Sequence, residues 1–418
     1  MEAEGRNILL LVVDCLRADM VYEKHLDELH NVRGIINEGT AFTHAFTSSV
    51  STMPSFSSIL TGLYPARHGV VSMYGRKLRP WVRTLAQVMR KAGYYTRAEV
   101  SGPLDPIIGL NRGFIVYNYR RRDETVYTGW WRKFLKDLGN MPQPWFLLLH
   151  LWALHMPRYL PPEYDNPRYG KTRYERALIA LDEKVGELLD AVPDDTLLVF
   201  TGDHGEYLME TPWQKLSYYV KWYFKKALRK VSKGPLSFLR EFERRISLPV
   251  GHGFDVRDIL ARVPLVFKAK GLFPSGIKVD FLVSNVDIFP TIISTVGIRC
   301  NLPYRLDGID LYTAVKEGKY PDRFVIIEAA GVRLTREKYM VAVRGRRYKY
   351  VLWPYSRDRR VALYDLERDP QEKINIVQQE REIAELMRKY LETTYLPYHS
   401  ARTRISSILR RVKRSRRK

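Results

Sequence analysis

Three side chains close strongly apolar runs and could hold a divalent cation between them. Asp14 ends residues 7–14, and Asp203 with His204 ends residues 196–204. Two carboxylates and one imidazole make a mostly oxygen donor set, which suits Mn²⁺, Zn²⁺ or Mg²⁺ and also accepts Ca²⁺. A lone aspartate at a strand end is more simply a helix cap or turn residue. An Asp-His pair directly after an apolar run, with Gly202 and Gly205 on either side, asks for more, because glycine lets the backbone approach a ligand closely. Thr52 stands just ahead of Pro54, Ser55, Ser57 and Ser58. A hydroxyl before a proline predicts a helix start with Thr52 as its cap. Amides at such a start, over 54–57, attract anions, so an attacking oxygen and an anionic ester could meet there.

These groups need a frame that gathers strand ends. The runs 7–14, 145–150 and 196–204 are continuous apolar stretches, with helical spacing at 84–92 and 174–191 between them. That alternation predicts an α/β fold, a mainly parallel sheet sandwiched by helices, with functional groups at the carboxyl ends of its strands. The stretch 40–46 is extended, strand character returns at 263–267, and a helix follows over 286–296. Short runs at 324–327, 339–343, 348–352 and 362–366 predict a smaller C-terminal antiparallel sheet, followed by a helix at 378–391. The expected organisation is a catalytic domain over 1–300, a C-terminal α+β subdomain over 301–397 and a basic tail over 398–418. Residues 207–248 form a basic, aromatic helical insertion within the first, with helices over 215–233 and 236–246.

Charge sets the chain apart more than hydrophobicity does. Sixty-nine Lys and Arg against 46 Asp and Glu give a net charge of +23, which points to an anionic partner: nucleic acid, a membrane face or an acidic substrate. No recognisable nucleic-acid module is present, so nucleic acid is not favoured. Two cysteines, Cys15 and Cys300, argue against a disulfide framework. The first residues lack signal-peptide character and no apolar run is long enough to span a bilayer. A cytoplasmic protein, either soluble or peripheral on the inner membrane face, is the expectation. In the insertion, Trp213, Tyr218, Tyr219, Trp222, Tyr223 and Phe224 interleave with lysines. Three readings stay open: an interfacial segment over 213–246 that meets anionic lipid together with the tail, a lid, or a hairpin packed on the main domain.

The motifs, taken in order, resemble the alkaline phosphatase superfamily on its sulfatase branch. They are Asp14-Cys15-Leu16-Arg17-Ala18-Asp19, Thr52-Met53-Pro54 with Ile59-Leu60-Thr61-Gly62-Leu63-Tyr64-Pro65, His155-Met156-Pro157, and Thr201-Gly202-Asp203-His204-Gly205-Glu206. Gly251-His252-Gly253, Arg262-Val263-Pro264-Leu265, Val286-Asp287-Ile288-Phe289-Pro290-Thr291, Asp307-Gly308, Tyr348-Lys349-Tyr350 and Leu363-Tyr364-Asp365-Leu366 continue the series. The resemblance implies that Asp14, Asp203 and His204 ligate a metal and that Thr52, at the nucleophile position, completes its shell. It implies that His155 and His252 bind anionic oxygens or protonate the leaving group. Arg17 and Asp19 read as support for the strand end, while His68 and His150 fit core or loop positions.

Two departures from that family shape the chemistry. Sulfatases carry a Cys or Ser that is oxidised to formylglycine, and an Arg two residues after the proline; here these are Thr52 and Phe56. A threonine hydroxyl cannot become that aldehyde, so formylglycine is not expected. Cys15 stands where another metal-binding Asp is usual, and Leu151 and Ala153 supply no carboxylate for a second ion. The expectation is one divalent metal, a set resembling lipoteichoic acid synthases and phosphoethanolamine transferases. Coordination to a cation makes a threonine hydroxyl a competent nucleophile. The predicted function is a metal-dependent hydrolase or transferase of phosphate mono- or diesters, lipid-linked esters among them. The alternatives are a sulfuric ester hydrolase without formylglycine, and a non-catalytic membrane- or polyanion-binding protein on the same fold.

Overall fold

Ile8–Val13 (β1) lies at the middle of the main sheet with all six residues buried, as a continuous apolar strand requires. The computed structural model describes residues 5–208, 212–231, 251–331, 338–356 and 360–396. The other strands of this sheet are β2 (Thr40–Phe46), β3 (Tyr95–Val100), β4 (Val116–Tyr119), β5 (Trp145–Leu151), β6 (Leu197–Gly202), β7 (Arg262–Val263), β8 (Leu265–Lys268) and β9 (Ile277–Ser284). Their order is β4-β3-β5-β1-β6-β8-β2-β7, with β9 beside β2. Every strand but β7 and β8 points the same way, so the α/β fold with a mainly parallel sheet is present.

The run read as one strand over 263–267 is broken at Pro264 into β7 and β8, and β8 runs antiparallel between β6 and β2. The reason is where the chain returns. The Gly205 amide, just past β6, donates to Leu260 O at 2.7 Å, so the chain re-enters the sheet at the carboxyl end of β6 and must run back down.

Helix spans follow their end signals. Leu85–Lys91 and Arg173–Ala191 both start on capping boxes, Thr84 with Gln87 and Thr172 with Glu175. Ile8, Leu10 and Val12 share one core with Phe56, Ile59 and Leu60 of helix Thr52–Thr61. Period-two alternation therefore turns Asp14, the next residue of that parity, toward the same helix.

The smaller sheet is antiparallel in the order β10 (Val325–Ala329), β11 (Met340–Arg344), β12 (Tyr348–Leu352), β13 (Val361–Asp365). Val341, Val343, Tyr350 and Leu363 pack there with Met387 and Leu391 of helix Arg381–Thr394. By packing, the chain divides into two compact units, Met1–Gly205 with Gly253–Lys418, and Glu206–His252. In the second, helix Pro212–Val231 is described and Tyr207 N donates to Gly251 O at 3.1 Å. The helix expected over 236–246 and the tail over 398–418 lie outside the described residues. Among the described residues no helix is long and apolar enough to cross a membrane.

A buried ion cluster ties the smaller sheet to the segment before β7. Lys349 Nζ, fully buried, lies 2.8 Å from both Glu372 carboxylate oxygens and 2.5 Å from Asp258 Oδ1; Arg344 Nη2 is 3.0 Å from Asp258 Oδ2. Burial alone would raise the Asp258 pKa, but Lys349 and then Arg344 outweigh it and hold the carboxyl below the usual range. Glu372, in the same cluster, is pushed up by burial, so acid lability belongs to Asp258. With a depressed folded pKa, its stabilisation is full above about pH 4 and is lost as pH falls toward the folded value. Asp258→Asn is expected to cost about 3 kcal/mol at neutral pH, read from urea denaturation. Its deficit against wild type should shrink below about pH 4; a deficit that stays constant into acid would contradict this account.

Candidate active site

The register of the central strands sets the site before any side chain is considered. Val13 pairs with Gly202 across β1 and β6, and Val12 pairs with His150 across β1 and β5. Asp14 and Asp203 therefore emerge side by side at the carboxyl ends of β1 and β6, where open α/β sheets place their ligands. Asp14 N donates to Leu151 O at 2.9 Å. Cys15 takes a left-handed backbone, φ 60°, which aims its amide at Asp203 Oδ1, 3.1 Å away. Arg17 is buried and forks onto Asp19 at 2.9 and 2.7 Å, supporting this turn. Gly202 and Gly205 are required by the protein itself: a Cβ on them would lie 2.7 Å from Leu16 O and 2.4 Å from Ile259 O. The close approach expected toward a ligand is an approach to backbone.

Helix Thr52–Thr61 is bolted over these strand ends. Ser55 Oγ donates to Asp203 O at 2.7 Å and accepts from Asn285 Nδ2 at 3.0 Å. Thr52 is not the cap. Ser51 holds that position, and Thr52 is the first helical residue, its side chain turned to the carboxylates. The amides expected over 54–57 are also corrected: Pro54 has no N–H and Ser55 N donates to Ser51 O at 3.1 Å. The amides that the helix leaves unused at its start are those of Thr52 and Met53.

Thr52 Oγ1 lies 3.4 Å from Asp14 Oδ2 and 3.2 Å from His204 Nε2. His204 Nδ1 is 2.9 Å from Gly205 O. A carbonyl only accepts, so the ring hydrogen is on Nδ1 and Nε2 presents a lone pair. That nitrogen stands 3.3 Å from Asp203 Oδ2, a buried oxygen that accepts no hydrogen bond among the described residues. With Asp203 ionised, its oxygen and this lone pair are two electron-pair donors facing each other, which fits a cation, and Asp14, Asp203 and His204 bring ligand atoms within 4.8 Å of one another.

The electrostatics agree. Burial and then the Asp14 charge push Asp203 well above the usual carboxylate range. Burial also acts on Asp14, but the hydrogen bond with His150 and the nearby imidazoles outweigh it and hold this carboxyl low. Burial pushes His204 down to about 4. Two carboxylates in a dry site cannot both ionise without a compensating cation.

His155 reaches the rim. One of its ring nitrogens lies within 4.8 Å of an Asp14 carboxylate oxygen and of Cys15 Sγ. The ring stacks on Trp152 at 3.8 Å and Nδ1 lies 2.7 Å from Met156 O. His252 closes the second unit, and its part in the site rests on the motif. Cys15 Sγ is 3.0 Å from Asp14 Oδ1. His68 is a core residue bridging Ser58 Oγ (3.0 Å) and Val70 N (3.1 Å).

His150 was not singled out by its motif, yet it touches the site. It is fully buried, Nε2 lies 3.2 Å from Asp14 Oδ2, and its ring packs edge-on against Phe56 at 4.9 Å. Burial lowers its pKa, so the neutral ring donates from Nε2 to Asp14. A signal existed: Phe146, Leu148 and His150 share one parity on a buried strand, so the imidazole had to face the core. His150→Ala is expected to weaken metal binding by about 10- to 100-fold, and His150→Gln, which can donate from the same place, to recover most of it. Isothermal titration with Mn²⁺ or Zn²⁺ reads both; equal affinities in all three proteins would remove His150 from this role.

Residues 6–298 match the family model described as Sulfatase, and residues 254–395 match N-sulphoglucosamine sulphohydrolase, C-terminal. The chain belongs to the sulfatase family. This member of the sulfatase family, within the alkaline phosphatase superfamily, is 24% identical to the choline-sulfatase of Rhizobium meliloti (strain 1021), over 90% of this chain and 83% of that one. It is 21% identical to the arylsulfatase K of Mus musculus, over 91% and 77%. The fold is similar to the crystal structure of a phosphonate monoester hydrolase of Agrobacterium radiobacter, with TM-score 0.70, 19% identity, and 95% and 96% of the two chains covered. It is thus a sulfatase-family hydrolase, an enzyme rather than a binding protein on the same fold. Sulfatases generally bind a divalent metal, and the fit described above agrees.

Proposed function

We propose that this enzyme cleaves phosphate-type esters, mono- or diesters, with Thr52 as nucleophile and one divalent metal held by Asp14, Thr52, Asp203 and His204. The observation that carries the reading is Thr52 Oγ1 itself, set in the buried space between Asp14 Oδ2 and His204 Nε2. A bound cation would supply positive charge to the ester oxygens and lower the pKa of the hydroxyl. The residues do the rest. Thr52 gives its proton to solvent, and its oxygen forms a bond to phosphorus as the bond to the leaving oxygen breaks. His155 or His252 supplies the proton that the leaving oxygen takes. Water or an acceptor alcohol then cleaves the threonine ester and restores the hydroxyl. The amides of Thr52 and Met53 at the helix start favour the anion. His150 holds Asp14 in place, and Phe56 fills the position from which an Arg would reach the substrate.

A second reading, sulfuric ester hydrolysis without formylglycine, is favoured by the family and by the names of the choline-sulfatase and arylsulfatase relatives. Elemental analysis of the purified protein, with aryl sulfate, phosphomonoester, phosphodiester and phosphonate substrates, separates the two. The first reading expects near-stoichiometric metal and a kcat/KM on a phosphorus ester about 100-fold above that on the sulfate; the reverse order overturns it. We propose residues 1–300 as the catalytic domain and 301–397 as the C-terminal subdomain, supported by their separate sheets. A cytoplasmic setting is supported by a cysteine count of two, too low for a disulfide framework.

A further inference from the structure

Helix Pro212–Val231 carries six basic residues and no acidic one, and six large apolar side chains among its described residues are exposed. Trp213 is 78% exposed, Leu216 53%, Val220 59% and Tyr223 62%; Tyr219 and Phe224 are also more than half exposed. At 3.6 residues per turn these six, with Ala227, fall on one stripe about 140° wide. Exposed Lys226 stands at one margin beside Tyr219, and exposed Lys221 beyond the other, past Phe224. Single exposed apolar residues are ordinary on protein surfaces, but a contiguous stripe of this width marks an interaction site.

We propose that this face of the helix is a docking surface for an anionic lipid bilayer. The composition is that of an interfacial helix: Trp, Leu and Phe on one side, lysines at the margins, and low overall hydrophobicity for its length. Charge complementarity selects the occupant. An anionic leaflet attracts Lys221, Lys226 and a chain of net charge +23. A second copy of this chain would set the same lysines against each other. The bilayer also accepts the indole of Trp213 and the phenols of Tyr219 and Tyr223, amphipathic rings that favour the headgroup level. This inference does not depend on which ester the enzyme cleaves.

The test is vesicle flotation of the full-length protein. With phosphatidylcholine vesicles containing about 30% phosphatidylglycerol, partitioning should be at least about tenfold stronger than with phosphatidylcholine alone. It should weaken as salt rises from about 0.1 M to about 0.5 M. The double variant L216E/V220E changes two exposed positions, so the fold should hold, checked by circular dichroism. It should lose partitioning by about tenfold or more while hydrolysing a soluble aryl ester as wild type does. That separates failure of this surface from failure of the active-site reading. Partitioning that is absent, indifferent to lipid charge, or unchanged in L216E/V220E overturns the proposal; the last result would assign lipid binding to other basic segments. A dimer in sedimentation velocity that the variant abolishes, without lipid binding by wild type, would give the face to a second copy instead.

Discussion

Thr52→Ala is expected to lower kcat/KM on the best ester substrate by about 10⁴-fold, with the fold intact. The change deletes the one hydroxyl that, among the described residues, faces both Asp14 and His204. Ser51, next to it, is the helix cap residue, and Ser55 is committed to Asp203 O and Asn285. Alanine is smaller and a good helix former, so the helix start should tolerate it and melting should shift by only a few degrees, about 1 kcal/mol. Thr52→Ser keeps the hydroxyl and should stay within about tenfold of wild type. Full activity in Thr52→Ala would remove the nucleophile and with it the proposed chemistry. Loss in both variants would mean that the methyl group, rather than the oxygen, matters.

Asp203→Asn should move metal binding and metal-free stability in opposite directions. Asn offers a neutral oxygen where a carboxylate faces His204 Nε2, so affinity for the divalent ion should fall by more than about 100-fold, and activity with it. The metal-free protein behaves differently because burial and the Asp14 charge hold the Asp203 pKa well above its ordinary value. An unfolded carboxyl ionises near pH 4. Between that pH and the raised folded value, the folded chain retains a proton that the unfolded chain has lost. Stability then falls as pH rises through this window. Asn cannot ionise, and its amide can donate toward His204 Nε2. At neutral pH, metal-free Asp203→Asn should therefore melt above metal-free wild type. Adding metal should reverse the order, because ligand binding stabilises only the protein that binds it. Calorimetry with and without chelator reads the crossover. An equal rise in melting temperature on adding metal to both proteins would exclude Asp203 as a ligand.

Much of the frame was legible from local pattern. The runs ending at Asp14 and Asp203 are unbroken by polar residues, and a strand buried on both faces needs that composition wherever it lies in the sheet. Pro264 and the direction of β8 were not legible, since direction depends on where the chain re-enters the sheet after the Glu206–His252 unit. Thr52 is the instructive case. Local chemistry makes a threonine ahead of Pro54 a cap, whereas the fold gives the cap position to Ser51 and turns the Thr52 oxygen toward strand ends far away in sequence.

The sequence by itself determined the donor types, Asp14, Asp203 and His204 at strand ends, and a threonine hydroxyl just ahead of Pro54, because those are matters of composition and order. The tertiary structure alone decided that His150 rather than His68 meets Asp14. It also decided that Gly202 and Gly205 admit neighbouring backbone rather than a ligand, and that the apolar stripe of helix Pro212–Val231 faces water. Each of these turns on which surfaces meet, and that is set by strand register and packing between segments that local pattern cannot relate.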